Sequence, residues 1–168
     1  MDDAEIARRF PKISEQGFKV TSKIDVHYNC IAWAVGDTRR FWWPGVQGAR
    51  STPYYWPAGI PYAKTIEAFT LAFATEKYEP CATGDLEKGV EKVALFALAS
   101  GEPRHAARQL KDGTWTSKMG EDVDVCHNAL EGMSGAVYGQ PVMFFRRKRS
   151  DGLLTRSLFW LRLLVKRR

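Results

Sequence analysis

A cysteine that starts a short apolar segment and a histidine that starts a strand are the residues of this chain best suited to chemistry. In "DVHYNCIAWAVG", residues 25–36, Cys30 follows the polar tripeptide "HYN" and precedes an apolar run that Gly36 closes like a helix C-cap. A thiol acts as a nucleophile through its anion, which backbone N–H groups at a helix start and a neighbouring imidazole both favour. The competing reading is a small buried side chain, because free cysteine is among the residues most often found inside.

A base for Cys30 must come from one of three histidines. His27 lies close in sequence but would have to fold back on the cysteine. His127 falls in "EDVDVCHNALEGM", where Val123, Cys126, Ala129 and Leu130 fit one face of a helix, and it reads there as a helix-surface histidine. His105 opens the strand "RHAARQL" directly after the turn "SGEP", where a side chain at a sheet end reaches a neighbouring helix terminus. His105 is therefore the preferred partner. The strand continues through "KDG" into the return strand "TWTSKMG". With a three-residue loop and a left-handed Gly113, Leu110 pairs with Thr114, Ala107 with Ser117 and His105 with Met119. Ser117 then shares a face with His105 and can orient its ring. A two-residue loop would turn Ser117 away. A carboxylate among Glu121, Asp122 and Asp124 would then be the alternative, although acids at a helix start are also explained by its dipole.

The surrounding elements follow from periodicity and turn chemistry. Residues 3–10 fit a short helix, and "FKVTSKIDV" is weakly extended. "FWWPG" and "STPYYWPAGIPY" read as a long ordered loop rich in Pro, Gly and aromatics. Ile66, Phe69, Ala72 and Phe73 have helical spacing behind Thr65 as N-cap. "EKVALFALA" is a buried strand and "QPVMFF" a last one. Helices first, then an antiparallel meander with one inserted helix, make the class α+β. A chain of 168 residues fits one domain over residues 1–149, with residues 150–168 as a separate extension.

A cysteine at a helix start, a strand opening with histidine and a hairpin carrying a polar residue on its return resemble the NlpC-type branch of the papain-like thiol hydrolases. "HAARQLKDGTWTS" is similar in layout to that branch's histidine strand, turn and third-residue strand, and "GDLEKGVEKVALFAL" to the segment before it. Separately, "YNCIAWAVG", "FWWP", "HAARQL" and "WTSKMG" resemble an uncharacterised bacterial family known as a domain of unknown function, over about Tyr28 to Phe145. The papain-like resemblance implies N-terminal helices, the nucleophile helix among them, packed on a small antiparallel sheet. It also implies a cysteine protease or amidase in which Cys30, His105 and Ser117 act on a peptide or protein substrate without a cofactor. Its oxyanion would lean on the Cys30 N–H and on Tyr28 or Asn29. The sequence departs from the branch in having "NCI" where Asp-Cys-Ser is usual and serine as the third residue. Deamidation or acyl transfer by a toxin or effector would use the same pair.

Other constellations compete with this one. Trp42 and Trp43, with Tyr54, Tyr55 and Trp56, would line a substrate groove or simply pack the loop. His27, Cys30, Cys81, His105, Cys126 and His127 can be assembled on paper into a metal site, but their spacing lacks the two close ligand pairs of structural zinc, so no metal is expected. The net charge of +6 is concentrated from Arg146 onward, where nine Lys and Arg residues face the single acid Asp151. That tail would dock on its own domain, on a protein partner or on a membrane surface; it is too short and too charged to span one. A non-enzymatic binding module using the tail and the aromatic loop is the rival reading, with nucleic acid the less favoured partner. An odd count of three cysteines and an acidic start without an apolar leader point to the cytoplasm.

Overall fold

Every long apolar run in the second half of the chain alternates between two cores, and the sheet that results dominates the architecture. A computed structural model describes residues 1–45 and 54–149. Its elements are α1 (Asp3–Arg9), α2 (Pro11–Gln16), β1 (Phe18–Val20), α3 (Cys30–Val35), α4 (Ile66–Thr75), β2 (Glu79–Cys81), β3 (Val90–Ala97), β4 (Pro103–Gln109), β5 (Trp115–Lys118), β6 (Asp124–His127) and β7 (Gln140–Lys148), with a 3-10 turn at Leu130–Met133. The seven strands form one sheet in the order β1-β6-β5-β4-β3-β7-β2, and every neighbouring pair is antiparallel.

In β3, Val93 and Leu95 face a core built with α3 and α4, together with Ala106 and Phe145. Ala94 and Phe96 face the opposite core, which contains Ile6, Phe10 and Ile13 from the N-terminal helices, Ala107, Trp115 and Val125. Covering both faces explains why this strand reads as an almost continuous apolar run. No helix among the described residues is long and apolar enough to cross a membrane.

This architecture corrects the expected papain-like α+β fold. The helices are short, six to ten residues each, and seven strands replace the expected small sheet. The largest single departure is residues 121–133, expected as a helix. Val123 and Val125 face the core of the N-terminal helices and His127 follows on the same side, a spacing of two that marks a strand. The segment forms β6, which pairs with β5 through Lys118↔Asp124 and Trp115↔His127 and with β1 through Phe18↔His127. Both edges of β6 are thereby hydrogen-bonded, an arrangement that a lone helix pattern does not anticipate. The basic extension, residues 150–168, lies outside the described residues, as do residues 46–53 of the aromatic loop.

Helix α3 is held at both ends. Asn29 is its N-cap: Oδ1 accepts from the Ala32 N–H at 3.1 Å and from the Trp42 N–H at 3.2 Å, while Nδ2 donates to the Trp42 carbonyl at 2.8 Å. At the other end Gly36 is left-handed, and the last carbonyls are taken by long-range donors. The Tyr78 hydroxyl donates to Ala34 O at 3.2 Å, and Arg147 Nη2 donates to Val35 O at 3.2 Å while pairing with Glu91 at 2.7 Å.

Replacing Asn29 with alanine removes the cap and leaves both Trp42 backbone groups without their partner. Asn29→Ala is expected to lower unfolding stability by about 2–3 kcal/mol. Urea denaturation followed by tryptophan fluorescence reads this as a lower midpoint, and an unchanged midpoint would remove Asn29 as the anchor of α3.

Candidate functional site

The β4–β5 hairpin has the three-residue loop that its sequence suggests. The Leu110 N–H donates to Thr114 O at 2.7 Å, Gly113 turns at a φ of 91°, and the ladder runs Gln109↔Trp115, Arg108↔Thr116 and Ala107↔Ser117. Because side chains alternate, His105 and Ser117 emerge on one face. His105 Nε2 and Ser117 Oγ are 2.9 Å apart. One strand further, Val125 stands opposite Ser117, so His127 joins the same face. His127 Nε2 lies 2.9 Å from the same Oγ, and His127 Nδ1 lies 2.9 Å from the Ala129 carbonyl oxygen. The three side chains form an unbroken buried line from β4 across β5 to β6.

Burial decides the charge of both rings. Desolvation, followed by the nearby His127, pushes the His105 pKa down to about 3. Desolvation pushes His127 down to about 4, against the opposing pull of the Ala129 carbonyl. Tyr138 stacks on the His105 ring at 4.0 Å and 11°, and Phe96 meets it edge-on at 5.4 Å. Tyr138 is carried by a tight turn in which Gly135 and Gly139 exchange backbone hydrogen bonds. Gly139 has a φ of 77°, and a Cβ there would overlap the Ala97 carbonyl, so only glycine lets the turn close. Under this cover, His105 Nδ1 is buried without a hydrogen-bond partner.

Cys30, the first residue of α3, packs with the α3–α4 core, whereas the His105 ring packs toward the other core. The β4–β5 ladder ends at Ala107↔Ser117, and just past it the Ala106 N–H acts on the Cys30 sulfur. The thiol thus reaches the backbone one residue from His105 without a hydrogen bond to the ring. Burial pushes its pKa up to about 11, opposed by the N–H groups of Ala106, Ile31 and Cys30 itself. Tyr138 is near enough that, after burial, a charged Cys30 is the next cause holding its hydroxyl proton on.

Tyr28, Asn29, Trp42 and Trp43, expected at an oxyanion site or substrate groove, each have partners within the fold. The Tyr28 hydroxyl donates to Asp124 Oδ2 at 2.7 Å, and its ring lies 4.7 Å from the buried Lys118 ammonium. The Asn29 amide ties α3 to Trp42. Trp42 is fully buried with Nε1 donating to Asp37 at 3.0 Å, and Trp43 packs edge-on against Phe69 at 5.6 Å. His27 is exposed against Asp25 at 2.8 Å. Among the described residues no three His, Cys, Asp or Glu side chains converge as metal ligands. His127, read from sequence as a helix-surface residue, is instead fully inside. The signal for it was the alternation Val123, Val125, His127 behind the turn at residues 120–122.

The two depressed histidines make folding sensitive to acid. Each is neutral in the fold and, below the ordinary value of 6.5, protonated in the unfolded chain, so stability is complete above that value and falls as pH drops toward about 4 and 3. Between about pH 6 and 5 each contributes a slope approaching 1.4 kcal/mol per pH unit. Urea midpoints measured across this range are expected to fall with acidity, and His127→Gln is expected to remove about half of that fall. Equal slopes in the two proteins would show that His127 does not titrate as its burial requires.

Neither a curated protein nor a solved structure matches this chain. A family model matches residues 19–146, a span that holds Cys30, His105, Ser117, His127 and Tyr138. The chain belongs to that family, the Domain of unknown function (DUF7689).

Proposed function

We propose that this protein is a cysteine-dependent hydrolase that cleaves a peptide or amide bond with Cys30 as nucleophile and His105 as general base. The observation that carries the reading is the buried Nδ1 of His105, an imidazole nitrogen with no partner, on the residue next to the N–H that acts on the Cys30 sulfur. A buried polar atom left without a partner costs about 1–3 kcal/mol, a cost that a role in proton transfer would account for. Ser117 holds the opposite nitrogen and restrains the plane of the ring.

With the thiol pKa near 11 and the imidazole near 3, the resting pair is neutral. Attack of the sulfur on the carbonyl carbon requires the thiol to come within reach of Nδ1 past the open end of the β4–β5 ladder, and transfer of its proton there is coupled to the attack. The carbonyl π electrons move to oxygen, for which the N–H groups that act on the Cys30 sulfur, those of Ala106, Ile31 and Cys30, are available donors. Collapse of the tetrahedral species breaks the carbon–nitrogen bond, and His105 returns its proton to the leaving amine. Water, deprotonated by the same nitrogen, then adds to the thioester and releases the acid and the free thiol. Deamidation and acyl transfer share these steps as far as the thioester and differ in the leaving amine or in the acceptor that resolves it.

The test is the rate at which iodoacetamide alkylates each cysteine at pH 6, followed by peptide mass spectrometry. His105→Asn, which keeps a polar group near Ser117, is expected to slow Cys30 labelling roughly tenfold or more while leaving Cys81 and Cys126 unchanged. Comparing the same thiol in two proteins removes the effect of its burial. Cys30 labelling that is indifferent to His105 would overturn the reading.

A further inference from the structure

We propose that His127 is a positioning residue, which acts through Ser117 to keep the lone pair of His105 on Nδ1. The proposal deepens the hydrolase reading and rests on it for its catalytic meaning. Its physical content is the direction of each hydrogen bond along the buried line.

A carbonyl oxygen can only accept, so the 2.9 Å contact with Ala129 O requires the proton of a neutral His127 to sit on Nδ1. The other nitrogen, Nε2, is then a bare acceptor. Ser117 Oγ, 2.9 Å away, has one hydrogen and gives it to that acceptor. Its oxygen must in turn accept from His105 Nε2, also at 2.9 Å, so His105 carries its proton on Nε2. The consequence at the end of the line is an Nδ1 without hydrogen, which is the form a general base needs. Serine alone would not decide this, because a hydroxyl donates or accepts equally well. The asymmetry enters at Ala129 O and is carried across three strands by His127.

Nothing else in the described surroundings fixes the tautomer. The faces of the His105 ring meet Tyr138 and Phe96, neither of which is hydrogen-bonded to it. Removing the acceptor at residue 127 frees the Ser117 hydrogen to turn toward His105 Nε2. His105 would then accept at Nε2 and hold its proton on Nδ1, the form that cannot take a proton from a thiol.

Long-range proton–nitrogen correlation spectra of the uniformly labelled protein near pH 7 distinguish the two tautomers directly. The expected result is Nε2–H at His105 and Nδ1–H at His127. In His127→Leu the His105 proton is expected to move to Nδ1, with Cys30 alkylation falling roughly tenfold or more. In His127→Gln, whose carbonyl can accept from Ser117, both the tautomer and most of the alkylation rate are expected to return. Nδ1–H at His105 in the unaltered protein overturns the proposal, a measurement that needs no variant to fold. So does an unmoved His105 proton in a folded His127→Leu. A proton that moves as expected while Cys30 reactivity stays constant would leave the relay standing and overturn the hydrolase reading instead.

Discussion

The constraint on which the rest depends is that a polar group shut away from water must find its partner inside the fold. Ser117 meets it for two imidazoles at once, at 2.9 Å on either side. That is only feasible if β4, β5 and β6 are in register, because a slip of one residue in any of them would point one of the three side chains through the sheet. The short Gly113 turn sets the first register and the turn after Met119 sets the second, with the Met119 N–H donating to Val123 O at 2.9 Å. The buried line and the sheet therefore stabilise one another.

The same rule explains how α3 is placed. A six-residue helix has little stability of its own, since most of its backbone groups lie within a turn of an end. Asn29 and the Trp42 backbone satisfy the start, and Tyr78 and Arg147 satisfy the finish. Arg147 can enter the interior because Glu91 neutralises it, and Glu91 also accepts from Tyr78 at 2.6 Å and pairs with Arg149 at 3.2 Å. This network spans α3, β3 and β7, so the position of Cys30 is a property of the whole sheet rather than of its own segment.

Burial also sets the resting chemistry. Thiol and imidazole are both held in their neutral forms, because a charge on either would lose most of its hydration. Tyr138 completes the enclosure from the Gly135–Gly139 turn, stacked between His105 and Phe10, the latter at 5.0 Å. The enclosure keeps water from both groups, and that exclusion is what holds them neutral.

By itself the sequence determined whatever is set by neighbours a few residues apart. The end of α3 follows from Gly36, the start of α4 from Thr65, and the His105–Ser117 face from a three-residue turn. These are local because capping and turn sterics act within a few bonds. Only the tertiary structure decided that residues 124–127 form a strand, since their pairing with Phe18 at one edge and Trp115 at the other joins distant parts of the chain. It likewise decided that His127 is buried, that the Tyr28 hydroxyl and the Asn29 amide are already engaged, and that Cys30 and His105 rest uncharged. Burial and long-range pairing are sums over many elements, so the local spacing of residues 121–133 fitted a helix face and a strand face alike.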